Sequence, residues 1–535
     1  MNRKTLVLPA VVGLLAPVLA ACGGSDSGGK SGDAISVGTT DRFTASKTVP
    51  APFDPAYAYD VGSWNVLRQT VQTLMAMPRS GSGDPVPDAA ESCIFTDSGS
   101  ERYVCTLRKD LKFASGDPIT AADVKYSIDR VRSIKADSMV YGLLSTIDTV
   151  ETQGSRKVIF HLNTPDATFP YKLATPTAGI VNPDDYAKNA LRKGFEVDGS
   201  GPYTLQAEVK DNTVVKTVFT KNPHYQGQLQ PKNDKVELVS FDGADAMGKA
   251  LEKGDIDVMT RAMSPEQINT YSTNPPKNIN LVESPGMEIR FIGFNTASGS
   301  ARSKAVRQAM AQVIDRGELV SKVYGTTAEP LYSLVPAGIT GHQNSFFNKY
   351  GDPDKAKAKA TLNAANITTP VKMTLHYTTD HYGSATAKEF EVLKDQLNSS
   401  GLFDVDVKGA PWDTFRDAEL DGKYDVYGMG WFPDFPDADS FLAPFLDKDN
   451  TLGSPYANGT IRNQLIPAER READRLTASK SLQQIQNIVA DDVPTLPLWQ
   501  GKQYVAARDD ITGVERTLSS SAVLQLWELG RGIGE

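Results

Sequence analysis

Residues 1–24 constrain this chain more than any other stretch, because they decide the compartment in which the rest must fold. Arg3 and Lys4 give a positive start, residues 6–19 form an apolar run, and Leu19, Ala20 and Ala21 lead into Cys22. This is the layout of an export signal peptide cleaved after small residues. The run is shorter than the roughly 20 apolar residues a spanning helix needs. Cleavage before Cys22 removes residues 1–21 and leaves 514. An exported chain folds where disulfides persist. A single core stops growing at roughly 300 residues, so two or three domains are expected.

Small residues alone suffice for an ordinary signal peptide. With Cys22 at its end, the segment resembles the lipobox of a bacterial lipoprotein, in which the peptidase cuts before the cysteine and lipid is attached to it. Gly, Ser, Asp and Lys fill residues 23–33, as a flexible tether requires. The expectation is a signal peptide at 1–21, a lipidated linker at 22–33, and a protein held at the outer face of the cytoplasmic membrane. Formal charge is −9, and loss of Arg3 and Lys4 brings it to −11. An acidic balance spread along the chain disfavours nucleic acid and anionic surfaces.

With Cys22 lipidated, Cys93 and Cys105 remain. Residues 92–95 and 103–107 read as strands around a turn at 97–101. A hairpin centred on Gly99 sets position 93 opposite 105, each six residues from the centre. Directly opposed strand residues approach the disulfide range, so a Cys93–Cys105 bond is expected, with two buried thiols as the alternative. No histidine lies nearby in sequence to favour a metal.

Strand patterns also occur at 34–39, 157–162, 203–208, 213–220, 235–241, 255–259, 288–294, 371–377, 405–407 and 424–428. Helical patterns occur at 61–75, 244–254, 303–316, 352–365, 384–399, 412–421 and 474–490. Thr120 reads as an N-cap with Asp123 at the third helical position. GSGPY at 199–203 is a sharp turn. The alternation of strands and helices in the second half indicates α/β layers, while the first half is richer in hairpins.

Little in the sequence supports catalysis. The five histidines, His161, His224, His342, His376 and His381, form no HExxH or tight metal spacing. There is no nucleophile elbow and no phosphate loop. Asp255 and Asp257 read as solvated turn charges. The dense feature is YGMGWFPDFPDADSFL at 427–442. Its glycines permit close backbone approach and its prolines stiffen it. Tyr427, Trp431, Phe432 and Phe435 can wall a small-molecule cleft in which Asp434 meets a ligand amine or hydroxyl. An ordinary core loop with solvated aspartates is the alternative.

Seven segments in order carry a family resemblance: LRKDLKF at 107–113, GDPITAADVKYSIDR at 116–130, GSGPY at 199–203, NPHY at 222–225, FIGFNT at 291–296, AVRQAMAQVIDR at 305–316, and the segment around Trp431. Together they resemble the extracellular solute-binding proteins of family 5, the peptide, oligopeptide, dipeptide and nickel receptors of bacterial ABC importers. The resemblance covers essentially the whole mature chain. It implies an α/β fold of the periplasmic-binding type II kind (cluster C), with two hinged lobes plus an extra domain. Lobe I would be 34–80, 195–290 and 500–535, the extra domain 81–194, and lobe II 291–499.

The resemblance also implies roles. Asp434, three residues after Trp431, would hold a ligand α-amino group. Trp412, nineteen residues before Trp431, would be a second pocket tryptophan, and Phe432 would help shape the pockets. Asn295 would contact ligand backbone near the hinge or, equally, cap a strand end. Oligopeptide receptors place arginines near the ligand carboxylate at positions that are Glu419 and Gly428 here, so carboxylate recognition must differ or the ligand lacks that group. The implied function is capture of peptides by a monomeric, non-enzymatic receptor without cofactor, for delivery to a membrane permease with cytoplasmic ATPases. An oligosaccharide, a chelated metal, or a chaperone or signalling role are the alternatives.

Overall fold

The computed structural model describes residues 34–532 apart from 82, 137–139, 262, 449 and 451. The expected signal peptide at 1–21, Cys22 and the linker at 22–33 lie outside the described residues.

Two long strands organise the molecule. Ile279–Phe294 and Thr495–Arg508 pair antiparallel over most of their lengths, at the centre of an eleven-stranded sheet. On one side the sheet continues through Val426–Trp431, Val371–Thr378 and Phe403–Ala410. On the other it continues through Val258–Thr260, Ile35–Thr39, Lys235–Ser240, Thr213–Lys221 and Tyr203–Lys210, and the eleventh strand, Ala328–Pro330, pairs with Thr495–Arg508 off this path.

The long strands cross from one core to another. Met287, Ile289, Leu496 and Leu498 pack into a core drawn from residues 287–499. Val505 and Ala507 pack with Ile35, Val37, Phe219 and Trp527 in a second core. The changeover falls where the pairing register shifts, between Pro285 and Ile289. A Cβ on Gly286 would lie 2.4 Å from the Gly501 carbonyl oxygen, so the backbones approach there only because no side chain intervenes.

A separate four-stranded sheet, in the order Ala90–Phe95, Arg102–Leu107, Lys157–Leu162, Ile147–Gln153, packs on the helix Ala121–Ile134 around a third core. The expected hairpin registers as read, with Cys93 opposite Cys105. The Asp97 carboxylate accepts from the backbone N–H of Gly99 (3.0 Å) and Arg102 (2.9 Å), which tightens the turn. Cys93 and Cys105 have Cα atoms 4.1 Å apart and their sulfurs joined at 2.02 Å. Thr120 and Asp123 form the expected capping box.

Several expectations require correction. The helix expected at 61–75 is Val61–Thr70, because Gly201 N–H donates to the Thr70 carbonyl at 2.9 Å and the chain leaves extended at Val71. The helix expected at 303–316 is Lys304–Val313, and a second helix, Arg316–Val323, begins where it was expected to end; Asp315 caps that second helix through Glu318 N–H (2.9 Å). The segment read as a stiff loop after Trp431 contains a helix, Asp439–Leu446. Asp257 is not solvated: it is 1% exposed and accepts from Ser36 N–H (3.0 Å) and the Arg531 guanidinium (2.8 Å).

Candidate ligand-binding site

All six residues of the strand Val426–Trp431 are buried, and the turn that follows carries Asp434. Two contacts fold this turn onto the next helix. Trp431 donates its indole N–H to the Ser440 carbonyl at 2.8 Å, and Asp434 donates its backbone N–H to Ser440 Oγ at 3.0 Å. One serine thus fixes both ends of the Trp-x-x-Asp spacing. Trp431 is 8% exposed and packs edge-on to Phe445, so it shapes the turn from within the core.

The neighbouring aspartates are anchored rather than solvated. Arg475 donates to Asp437 (2.8 and 2.9 Å) and Glu469 (2.6 Å), and Arg470 pairs with Asp439 (3.1 Å) and Asp447 (2.9 Å). Buried pairs of this kind hold geometry firmly, because removing one partner strands the other. Ala167 N–H donates to the Arg470 carbonyl (2.7 Å) and Ser100 Oγ to the Arg471 carbonyl (3.0 Å), tying the four-stranded unit to the same region.

Asp434 lies where the bodies meet. Both of its carboxylate oxygens accept from the Tyr59 hydroxyl, at 2.9 and 3.0 Å. Phe435 enters the core that contains Trp64 and Tyr203, and its ring faces Tyr171 at 5.7 Å. Burial pushes the Asp434 carboxyl up to about 6, against the hydrogen bond from Tyr59 and the positive charges of Lys172 and Arg68. Burial, then the Asp434 charge, lifts the Tyr59 hydroxyl well above its usual range. Lys172 itself is held by Asp166 at 2.6 Å.

Phe432 is half-buried, with the Arg261 guanidinium 6.0 Å over its ring. Arg261 also pairs with Asp41 (3.1 Å). Trp412 is half-buried and stacks on His381 with centroids 3.8 Å apart. Burial, with Arg290 next, pushes His381 down to about 4, so the ring is neutral near pH 7. His376 stacks instead on Tyr424, and no group of three metal-ligating side chains occurs among the described residues.

Two expected ligand residues are not brought to Asp434. Tyr427 is buried, with its hydroxyl bonded to Glu419. Asn295 donates to the Gly422 carbonyl (3.2 Å) and accepts from Ala297 N–H (3.0 Å), the strand-end role that was its alternative. Strand pairing places Ile289 opposite Trp431 and Phe294 opposite Val426. At about 3.3 Å per residue, Asn295 lies roughly 20 Å along the strand from the Asp434 turn. Tyr59 and Lys172, by contrast, had no sequence signal: they come from irregular or short segments far from position 434.

Comparison with known proteins adds a common pattern. The family model described as "Bacterial extracellular solute-binding proteins, family 5 Middle" matches residues 84–453. The probable D,D-dipeptide-binding periplasmic protein DdpA of Escherichia coli K12 is 26% identical over 483 residues, covering 87% of this chain and 89% of that protein. The oligopeptide-binding protein OppA of Bacillus subtilis is 24% identical, covering 90% and 91%. Among solved structures, the murein tripeptide binding protein MppA of Escherichia coli superposes with a TM-score of 0.77 at 21% identity, covering 94% of this chain and 98% of that one. The shape likeness shows the fold: a periplasmic-binding type II arrangement of two lobes with an extra domain.

Proposed function

Because the chain belongs to the bacterial extracellular solute-binding proteins of family 5, a family of binding proteins and not of enzymes, we propose that it captures peptides outside the cytoplasm and passes them to an ABC permease driven by cytoplasmic ATPases. Cys22 carries the lipid that keeps it at the outer face of the membrane, and residues 23–33 give it reach. Lobe I is 34–80, 195–290 and 500–535, the extra domain 81–194, and lobe II 291–499. Binding closes the lobes about the crossing strands.

The reading is carried by Asp434. Its carboxylate is lifted to about 6 in a half-buried position between the bodies, with one neutral hydroxyl as its hydrogen-bonding side-chain partner among the described residues. A peptide ammonium displacing Tyr59 would give that carboxylate a full positive partner. Phe432 and Trp412 supply apolar and stacking surface for side chains. The dipeptide, oligopeptide and tripeptide named in the relatives' descriptions fit the same chemistry. Mass spectrometry of the solute released from natively purified protein tests the proposal. Peptides are expected; a sugar or a metal chelate as the released species would overturn it.

A further inference from the structure

We propose that Arg68 is the partner of a ligand carboxylate, received in the cavity beside it, so that the site takes a zwitterionic short peptide with its amine at Asp434. This rests on the peptide-capture reading. The cavity measures about 60 Å³, room for the terminal group of a ligand rather than for a whole peptide. Val71, Met77, Pro176, Leu229 and Trp527 give it apolar walls, and Arg68 is the cation on its lining. The acid on that lining, Asp88, is already engaged by the Tyr225 hydroxyl (3.1 Å) and Gln228 N–H (3.1 Å).

Arg68 occupies the last turn of the helix Val61–Thr70. Its guanidinium carbon lies 5.3 Å from the Trp64 ring centroid, and Trp64 meets Tyr59 edge-on at 5.5 Å. Tyr59 in turn holds Asp434. A continuous row of side chains therefore links the two opposite charges, which feel each other without forming an ion pair. Burial pushes Arg68 down to about 10, with the Asp434 charge opposing, so it stays cationic near pH 7.

No acceptor among the described residues takes its N–H groups. Three guanidiniums buried elsewhere are paired: Arg130 by Asp54 (2.8 and 2.6 Å), Arg307 by the carbonyls of Ala301 (2.7 Å) and Val493 (2.8 Å), Arg475 by Asp437, and Arg316 still donates its Nε to the Pro497 carbonyl (2.7 Å). An unpaired guanidinium is costly to bury, and its planar fork matches a carboxylate bidentately. The two positions at which oligopeptide receptors carry arginine cannot serve. Glu419 is paired with Arg416, and a side chain at Gly428 would collide with Phe390, the nearest atom 2.0 Å from a Cβ. Arg68 supplies the missing charge from the opposite body.

The test uses the soluble chain from residue 23 and pools of peptides two to five residues long, as free acids, as C-terminal amides, as amides containing one glutamate, and as N-acetylated free acids. Retention is quantified by mass spectrometry. Wild type is expected to hold free acids at least tenfold better than plain amides. Arg68→Gln should lose that preference while still discriminating against N-acetylated peptides, and Arg68→Lys should keep part of it. Retention of the glutamate amides would identify a side-chain carboxylate as the group received; their loss would identify the C-terminus. An unchanged acid-to-amide ratio in a folded Arg68→Gln protein overturns the Arg68 assignment alone. Retention of no pool by wild type overturns the peptide reading and this inference with it.

Discussion

Lowering the pH from 7 to 5 isolates the contribution of Asp434. The groups facing its carboxyl are the Tyr59 hydroxyl, the Lys172 ammonium and the Arg68 guanidinium; with Tyr59 lifted well above its usual range and Arg68 held at about 10, neither of those two changes charge in that window. Asp434 itself, lifted to about 6, does. A peptide amine stays charged throughout, since its ordinary pKa lies near 8. If the ligand requires the ionised carboxylate, affinity is nearly full at pH 7 and falls by about tenfold at pH 5, about 1.4 kcal/mol. The stability of the empty protein moves the opposite way. A carboxyl whose folded pKa is raised binds its proton more tightly when folded, so this contribution falls as pH rises from about 4 through about 6. Calorimetric titration with the co-purified peptide at pH 7, 6 and 5 measures the first effect. Asp434→Asn should weaken free-amine peptides by about 2–5 kcal/mol, leave N-acetylated ones nearly unchanged, and flatten the pH profile. Tyr59→Phe removes a bond that favours the ionised form and should move the midpoint above 6. A wild-type affinity that is level from pH 7 to 5, or an Asp434→Asn profile parallel to it, would refute the reasoning.

Other expectations are simpler to read. Gly201→Ala places a Cβ 2.5 Å from the Thr70 carbonyl carbon and should cost about 1–3 kcal/mol in urea unfolding; no loss would mean that the loop yields freely. Arg475→Ala strands Asp437 and Glu469 and should cost about 3–5 kcal/mol, seen as a lower melting temperature. The soluble chain without Cys22 should show no free thiol after denaturation without reductant; two reactive thiols would contradict the Cys93–Cys105 bond. Cys22→Ser should release the protein from the membrane fraction, and continued retention there would argue against the lipid anchor.

Local patterns were the legible part of this chain. The Cys93–Cys105 register follows from counting out from a turn, and the Thr120 cap needs only its neighbour at Asp123. Val371, Met373 and Leu375 alternate inward, so that strand reads directly. The helix Asp439–Leu446 did not, because a prolyl and aspartyl stretch has poor local preference. What steadies its approach is Arg475 on Asp437 and Arg470 on Asp439, partners more than thirty residues away. Asp257 was misread for the same reason: its partners are Ser36 and Arg531. In the candidate site, Asp434 and Trp431 were visible as a spacing. Tyr59 and Arg68 were not, because only the tertiary fold brings them to residues some 370 positions later.

The two crossings of the long strands also set an order of assembly. The core drawn from residues 287–499 is continuous in sequence and can close as soon as that stretch is free to fold. The other body cannot. Its helix at Val61–Thr70 waits for Asn65 to bond Ala522 and Leu524, and for Gln69 to bond the Leu524 carbonyl. Asn233 likewise waits for the carbonyls of Leu526 and Leu529. The N-terminal segment is thus among the last to be completed, and long-range closure of this kind is slow. A chain passing outward from its N-terminus would therefore expose an unfinished first body through nearly the whole of its export, leaving that body dependent on chaperones or open to proteases until residue 529 arrives.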